Sequence, residues 1–257
     1  MTELLAIDRG RDGVARLTLN RPDRHNAFDG ELIAALHATI GTLGRDPAVR
    51  VIVVTGAGRS FCAGADLGHM RAMADADEAA NYADALALAD MLAALDECPK
   101  PLVARVNGDA FGGGVGLIAC CDIAVGLAAA RFALSEVRLG LVPATISPHV
   151  VAAMGERAMR RYALSGERFD GVRARELGLL HEAVADEAAL DGEVNRIIAE
   201  LLQGGPQAQV EVKSLVHEVS AAPRDAALRR STSHRLARLR MSQEGRARVR
   251  DFLARRK

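Results

Sequence analysis

The sequence predicts an α/β fold, and three observations carry that expectation. Short β-branched runs recur at Val14 to Leu19, Val49 to Thr55, Leu102 to Val106 and Ile123 to Gly126, as buried strands require. Stretches with apolar residues at helical spacing separate most of them. From Pro143 onward the strand patterns thin out and helical ones dominate, so an alternating core precedes a helical region. The 257 residues suffice for a sizeable core.

The elements follow from local chemistry. Leu4 to Ile7 and Val14 to Leu19 alternate and are joined through Asp12-Gly13, a tight-turn pair, which predicts a hairpin. Asp29 is placed to cap a helix over Glu31 to Leu43, where Leu32, Leu36, Ile40 and Leu43 share one face. Val49 to Thr55 then ends in Gly56-Ala57-Gly58, a strand feeding a loop. Met70 to Asn81 is Ala-rich with little apolar patterning at its start and is expected to be a mobile loop, overlapping a helical pattern that begins at Asp77 and runs to Asp96. Later helices are expected at Val150 to Met154, Arg157 to Leu164, Val172 to Leu177, Leu190 to Leu202, Pro206 to Val219 and Arg246 to Ala254. Pro206 suits a first turn, and Gly204-Gly205 the stop before it.

The most informative run is Asn107-Gly108-Asp109-Ala110-Phe111-Gly112-Gly113-Gly114, followed after a short interval by Ser135-Glu136-Val137-Arg138-Leu139-Gly140. Three glycines let the backbone turn sharply, and a helix opening there aims free amides at a ligand. The pattern suits a cradle for developing negative charge with a carboxylate, Glu136, beside it.

The balance of 33 basic and 33 acidic residues gives no global pull toward nucleic acid or anionic membrane. One local exception is the tail from Arg224 to Lys257, with 12 Lys or Arg against 3 Asp or Glu, an excess of +9. Cys62, Cys98, Cys120 and Cys121 form no CxxC pair and no metal-ligand spacing, so neither a zinc site nor a disulfide framework is expected. With no leader or membrane-spanning pattern, the expected setting is cytoplasmic.

Several motifs in order resemble the crotonase family, the enoyl-CoA hydratase and isomerase superfamily, from about the first strand to the C-terminus. They are Leu19-Asn20-Arg21-Pro22 leading to Asn26-Ala27, Ser60 to Leu67, Asn107-Gly108 with the glycine triplet and Cys121-Asp122-Ile123, and Glu136 to Pro143. The resemblance implies a spiral of ββα units over residues 1–200 and a C-terminal helical region over 201–257 that builds a homotrimer or hexamer. It implies an acyl-CoA substrate, no cofactor beyond that CoA and no metal. Nucleic acid is not an expected partner, RNA binding through the basic tail and non-catalytic acyl-CoA binding being the readings of another class.

By the same resemblance, the amides of Ala65 and Gly113 form an oxyanion hole for a thioester carbonyl, and Glu136 moves protons. The substrate-binding positions are Arg24, Ala63, Asp66, Gly112, Lys213 and Phe252, with Ala63 toward the adenine, Arg24 toward the phosphates, and Lys213 and Phe252 closing over the nucleotide. Many hydratases of the family use two glutamates, but Gly116 stands at the first of those positions here. That departure does not support a two-carboxylate hydration and favours the alternative, a double-bond isomerase using Glu136 alone. The first expectation stays an enoyl-CoA hydratase in which Glu136 acts with one ordered water and a second group from elsewhere. A side chain at Gly116, inside a helix, is expected to be tolerated. Val142-Pro143-Ala144-Thr145-Ile146-Ser147-Pro148-His149 resembles the branch that hydrates branched, carboxylated enoyl-CoAs such as methylglutaconyl-CoA and isohexenylglutaconyl-CoA, in leucine and acyclic terpene breakdown. Arg138, Thr145, Ser147 and His149 are then candidates to meet an acyl carboxylate, although Thr145 and Ser147 also read as helix caps.

Overall fold

The computed structural model of the protein describes residues 3–10 and 12–255. The last two basic residues of the tail, Arg256 and Lys257, lie outside them. The chain divides into two compact units, residues 1–198 and 199–257.

The first unit holds two sheets. The larger is built from β1 (Leu5–Arg9), β2 (Val14–Leu19), β3 (Val51–Gly56), β5 (Leu102–Val106), β7 (Ile123–Leu127) and β10 (Glu182–Val184), adjacent in that order. The β1–β2 hairpin is antiparallel and every other pair parallel. The smaller sheet has the order β4 (Ser60–Cys62), β6 (Asp109–Phe111), β8 (Arg131–Ala133) and β9 (Phe169–Asp170). Each turn of the chain gives one strand to each sheet in succession: β3 then β4, β5 then β6, β7 then β8. A helix follows each pair, which makes the spiral of ββα units.

Helix α1 (Gly30–Arg45) forms as its pattern predicts. The Asp29 side chain accepts from the Leu32 amide, and Leu32, Leu36, Ile40 and Leu43 are buried. The loop expected over Met70 to Asn81 is instead largely helical. Asp66 caps α2 (Leu67–Ala74) through the Gly68 and His69 amides, and Asp77 caps α3 (Glu78–Asp96) through the Ala80 amide. Between them Asn81 donates to the carbonyls of Met73, Ala76 and Asp77, so capping and turn bonds supply what apolar periodicity does not. Helix α4 (Gly113–Ala119) packs on α5 (Ser147–Ser165), which Gly155 breaks at φ +77° into the two segments expected around it. The rest of the unit is α6 (Gly171–Glu176) and most of α7 (Glu187–Gln203), within which the unit boundary falls.

The second unit contains α8 (Pro206–Ala221), α9 (Ala226–Met241) and α10 (Gln243–Ala254). Three of the tail's arginines are engaged within it. Arg235 bridges Glu211 and Glu218 of α8 at 2.9 and 2.7 Å, Arg238 also pairs with Glu211, and Arg248 donates to the carbonyls of Gln203 and Gly204. Glu244 accepts from the first free amides of α8, Gln207 and Ala208.

One buried side chain fastens the loop before α1 to the β3–β4 turn. Asn26 is fully buried in a left-handed conformation (φ 56°), its Oδ1 accepts from the Arg21 amide, and its Nδ2 donates to Ala57 O at 2.9 Å and Ser60 O at 2.8 Å. Replacing Asn26 with Ala leaves these backbone groups unmet and is expected to cost about 3 kcal/mol. Urea unfolding measures it; a loss below about 1 kcal/mol would mean that water takes over those bonds.

Candidate active site

Three short parallel strands end at the same edge, and the segment after each contributes one element of the site. β4 leads into Ala63-Gly64-Ala65-Asp66, β6 into Gly112-Gly113, and β8, through Leu134-Ser135, into a 3₁₀ turn at Glu136–Leu139. The parallel alignment of β4, β6 and β8 therefore brings Ala65, Gly113 and Glu136 to one place, as the carboxyl ends of parallel strands commonly do for ligand sites.

The Ala65 amide is set by a parallel bridge to Phe28. Phe28 N donates to Gly64 O at 2.6 Å, and Asp66 N donates to Phe28 O at 2.7 Å. In such pairing the residue between the two bonds turns its own N–H to the other side. Ala65 is exposed, and its amide donates to no described residue. The Gly113 amide, first in α4, also lacks an acceptor among the described residues. The two strands' ends approach closely: a β-carbon on Gly64 would lie 3.5 Å from Gly113 N. The site thus offers two free N–H donors near each other, one at a helix N-terminus.

Gly112 makes the turn between β6 and α4. Its φ of 49° with ψ of −116° is open only to glycine, and its amide is tied to Ala133 O of β8 at 2.9 Å. A β-carbon there would sit 2.9 Å from Glu136 Oε1, so the missing side chain is what admits the carboxylate. Glu136 Oε2 is buried and has no hydrogen-bond partner among the described residues. Burial pushes the Glu136 carboxyl above its ordinary value, its own backbone amide opposing only in part.

The remaining expected positions divide into those that build the site and those placed elsewhere. Asp66, besides capping α2, lies 3.1 Å from exposed Arg24 and 3.5 Å from buried Arg21. Burial works against its ionisation, but the His69 amide, Arg24 and the Gly68 amide outweigh it and hold its carboxyl below the ordinary range. Its side chain therefore anchors the 63–66 turn. Ala63 lines a cleft of about 400 Å³ together with His25, Arg59, Phe111 and Arg131; neither Glu136 nor the two free amides line it. Lys213 on α8 and Phe252 on α10 belong to the second unit. Burial pushes the Cys62 thiol up to about 12, which fits a core residue and not a nucleophile.

The residues expected to meet an acyl carboxylate have local partners or none. Arg138 lies against Gly166 at the end of α5, and His149 stands 3.9 Å from Asp96. Ser147 does not cap α5: its hydroxyl donates back to Pro143 O at 2.6 Å, and the cap position is Ile146, without a side-chain bond, so Thr145 does not cap it either.

The sequence of the whole site region matches the enoyl-CoA hydratase/isomerase family over residues 9–257. The chain belongs to that family. It is 38% identical over 213 residues to enoyl-CoA hydratase ACTT6 of Alternaria alternata, covering 83% of this chain and 70% of the relative. It is 35% identical to 2,3-dehydroadipyl-CoA hydratase of Escherichia coli, over 74% of this chain and 72% of that one. The crystal structure of an enoyl-CoA hydratase from Shewanella pealeana superposes with a TM-score of 0.95 at 40% identity, covering 98% of this chain and 94% of the other.

Against that family pattern, Gly116 has a structural partner that sequence inspection did not reveal. A β-carbon at Gly116 would lie 2.3 Å from Cγ2 and 2.7 Å from Cβ of Ile146, which is 2% exposed. The expectation that position 116 tolerates a side chain is therefore overturned: Ile146 occupies the space. Nothing in the periodicity around Ile146 marks this contact, which arises only when α4 packs on the segment before α5. Phe28 was missed likewise, being one of six phenylalanines with no pattern to set it apart.

Two outcomes follow. Gly→Ala in an open helix stabilises, but Gly116→Ala is expected to destabilise by about 2 kcal/mol through overpacking. Combined with Ile146→Ala, itself destabilising, the pair should cost about 1 kcal/mol less than the sum of the two single changes. Urea unfolding decides; a Gly116→Ala variant as stable as the parent would show that Ile146 yields freely. For Glu136, the folded chain binds the proton more tightly than the unfolded one. Its contribution to stability is present below the ordinary carboxyl value of 4.5 and is lost as pH rises through the raised folded value. Glu136→Gln should accordingly raise the unfolding temperature by a few degrees near neutral pH, with the gain shrinking in acid. A gain independent of pH would exclude the carboxyl's ionisation as its source.

Proposed function

We propose that the protein is an acyl-CoA enzyme that holds a thioester carbonyl between the Ala65 and Gly113 amides and moves a proton with Glu136, acting as a hydratase of a branched or carboxylated enoyl-CoA. The observation that carries this reading is the conjunction of two amides with a buried carboxylate oxygen, none of which has a hydrogen-bond partner among the described residues. Charge that develops on the thioester oxygen as an enolate forms is stabilised by donors already in place, more than the ground-state carbonyl is. Free amides held by strand ends need no reorganisation to do so.

In hydration, the ionised Glu136 takes a proton from water as the water oxygen bonds to the β-carbon. The π-electrons move to the thioester oxygen, and Glu136 returns the proton to the α-carbon as the enolate collapses. One carboxylate performs both transfers, and its raised pKa brings the two protonation states nearer in energy at neutral pH. The hydratase names of the relatives support this choice, and the dehydroadipyl-CoA relative is named for a dicarboxylic acyl group. Isomerisation is the second reading, favoured by Ile146 filling the space where a second acid would stand. There Glu136 carries one proton between substrate carbons and no water is consumed.

The cleft at Ala63 supports a place for the nucleotide end, with Arg59 among its lining residues as a cation for phosphate, while Arg131 there is paired with Asp109 at 2.7 Å. Lys213 and Phe252 stay in the proposal as late-chain residues for the CoA nucleotide, and a homotrimer or hexamer as the assembly. The pairing of Arg235 and Arg238 with Glu211 and Glu218 offsets part of the tail's charge and so lowers its pull on RNA.

Glu136→Gln tests the mechanism. It is expected to lower turnover at least about a hundredfold on enoyl-CoA substrates while CoA binding, followed by thermal shift, stays near the parent's. Loss of the conjugated thioester absorbance marks hydration, and its appearance from a 3-enoyl-CoA marks isomerisation. Near-parental turnover in a folded Glu136→Gln protein would remove this residue from the mechanism.

A further inference from the structure

Both free amides meet in a single residue that carries neither of them. The backbone of Phe28 brackets Ala65 on each side, at 2.6 and 2.7 Å, and this bridge is what turns the Ala65 N–H toward the site. The ring of the same residue lies against Gly113: a β-carbon there would be 3.0 Å from Cδ2 and 3.1 Å from Cε2 of Phe28. Phe28 is 3% exposed, so its ring has little room to retreat. Its neighbours are fixed as well. Arg21 Nη1 donates to Ala27 O at 2.9 Å and lies 2.7 Å from Asp29 Oδ2, holding the residues on either side of Phe28.

We propose that Phe28 is a positioning residue for both oxyanion donors, its backbone orienting the Ala65 amide and its ring setting how closely α4 brings the Gly113 amide alongside. The inference rests on the acyl-CoA reading above and deepens it. A 1 Å error in donor placement weakens stabilisation of the transition state far more than it weakens ground-state binding, so Phe28 should act on turnover and carbonyl polarisation and leave CoA affinity alone. A residue that served only to fill the core would lower stability without touching the carbonyl.

The test uses acetyl-CoA labelled with ¹³C at the thioester carbonyl, whose infrared stretch falls when donors polarise it, alongside crotonyl-CoA turnover and free CoA binding. In the parent protein the bound carbonyl should absorb at lower frequency than in water. Phe28→Ala should move that stretch back toward the free value and reduce kcat by about tenfold or more, with CoA affinity within about twofold. Gly113→Ala, which presses on the ring from the other side, should produce the same signature, and Phe28→Leu, which keeps apolar volume and protects folding, an intermediate one. A parental stretch in the folded Phe28→Leu and Phe28→Ala proteins would overturn the assignment of Phe28 alone. Absence of any polarisation in the parent would overturn the acyl-CoA reading and this inference with it.

Discussion

Parallel pairing of β4, β6 and β8 is the constraint on which the site depends. These strands are only three residues each, yet their alignment brings three chain segments to one edge: the Ala65 turn, the Gly112-Gly113 turn and the Glu136 turn. The bond from Gly112 N to Ala133 O ties the second segment to the strand leading to the third. The Phe28 bridge extends the same ladder logic to the Ala65 turn. Strands this short cannot hold their register alone, and the larger parallel sheet supplies the rigidity, because each small strand follows directly on a long buried one.

Polar groups without partners are rare in folded interiors, and the buried Glu136 Oε2 is one. At the site, two amides and this carboxylate oxygen lack partners among the described residues, while Asn26, Arg21 and Asp66 around them each make several bonds that build the surrounding turns. A buried acid kept without a donor opposes stability, and free amides leave hydrogen bonds unmade. Both features make sense as preorganisation for a ligand that brings a carbonyl oxygen and a transferable proton.

The contact between Gly116 and Ile146 shows how packing fixes which residue a position can hold. Ile146 fills the space beside α4 where a side chain at 116 would go, and the helix closes tightly on the segment before α5. The arginine-rich tail makes a parallel point about charge. A count along the chain suggests an anion-binding stripe, but folding pairs Arg235 and Arg238 with Glu211 and Glu218 and ties Arg248 to helix-end carbonyls, so part of that charge is offset locally.

Elements whose signal is local were legible in the sequence. Val51 to Gly56 and Leu102 to Val106 are long enough and β-branched enough to declare themselves as strands, α1 carries its cap and its apolar face within one segment, and Gly112-Gly113-Gly114 with Glu136 marks the site by residue type and order. What the tertiary structure alone decided was everything that depends on distant partners. Strands of two or three residues such as β4, β6, β8 and β9 hold too few positions to show a period and exist only because a neighbour pairs with them. Capping aspartates, not apolar spacing, made helices of the stretch around Asp66 to Asp77. Phe28 and Ile146 acquire their roles by touching glycines 85 and 30 positions further along or back in the chain. Helix periodicity is written in a few consecutive residues, whereas the fit of one side chain against another segment is a property of the packed interior and has no local signature.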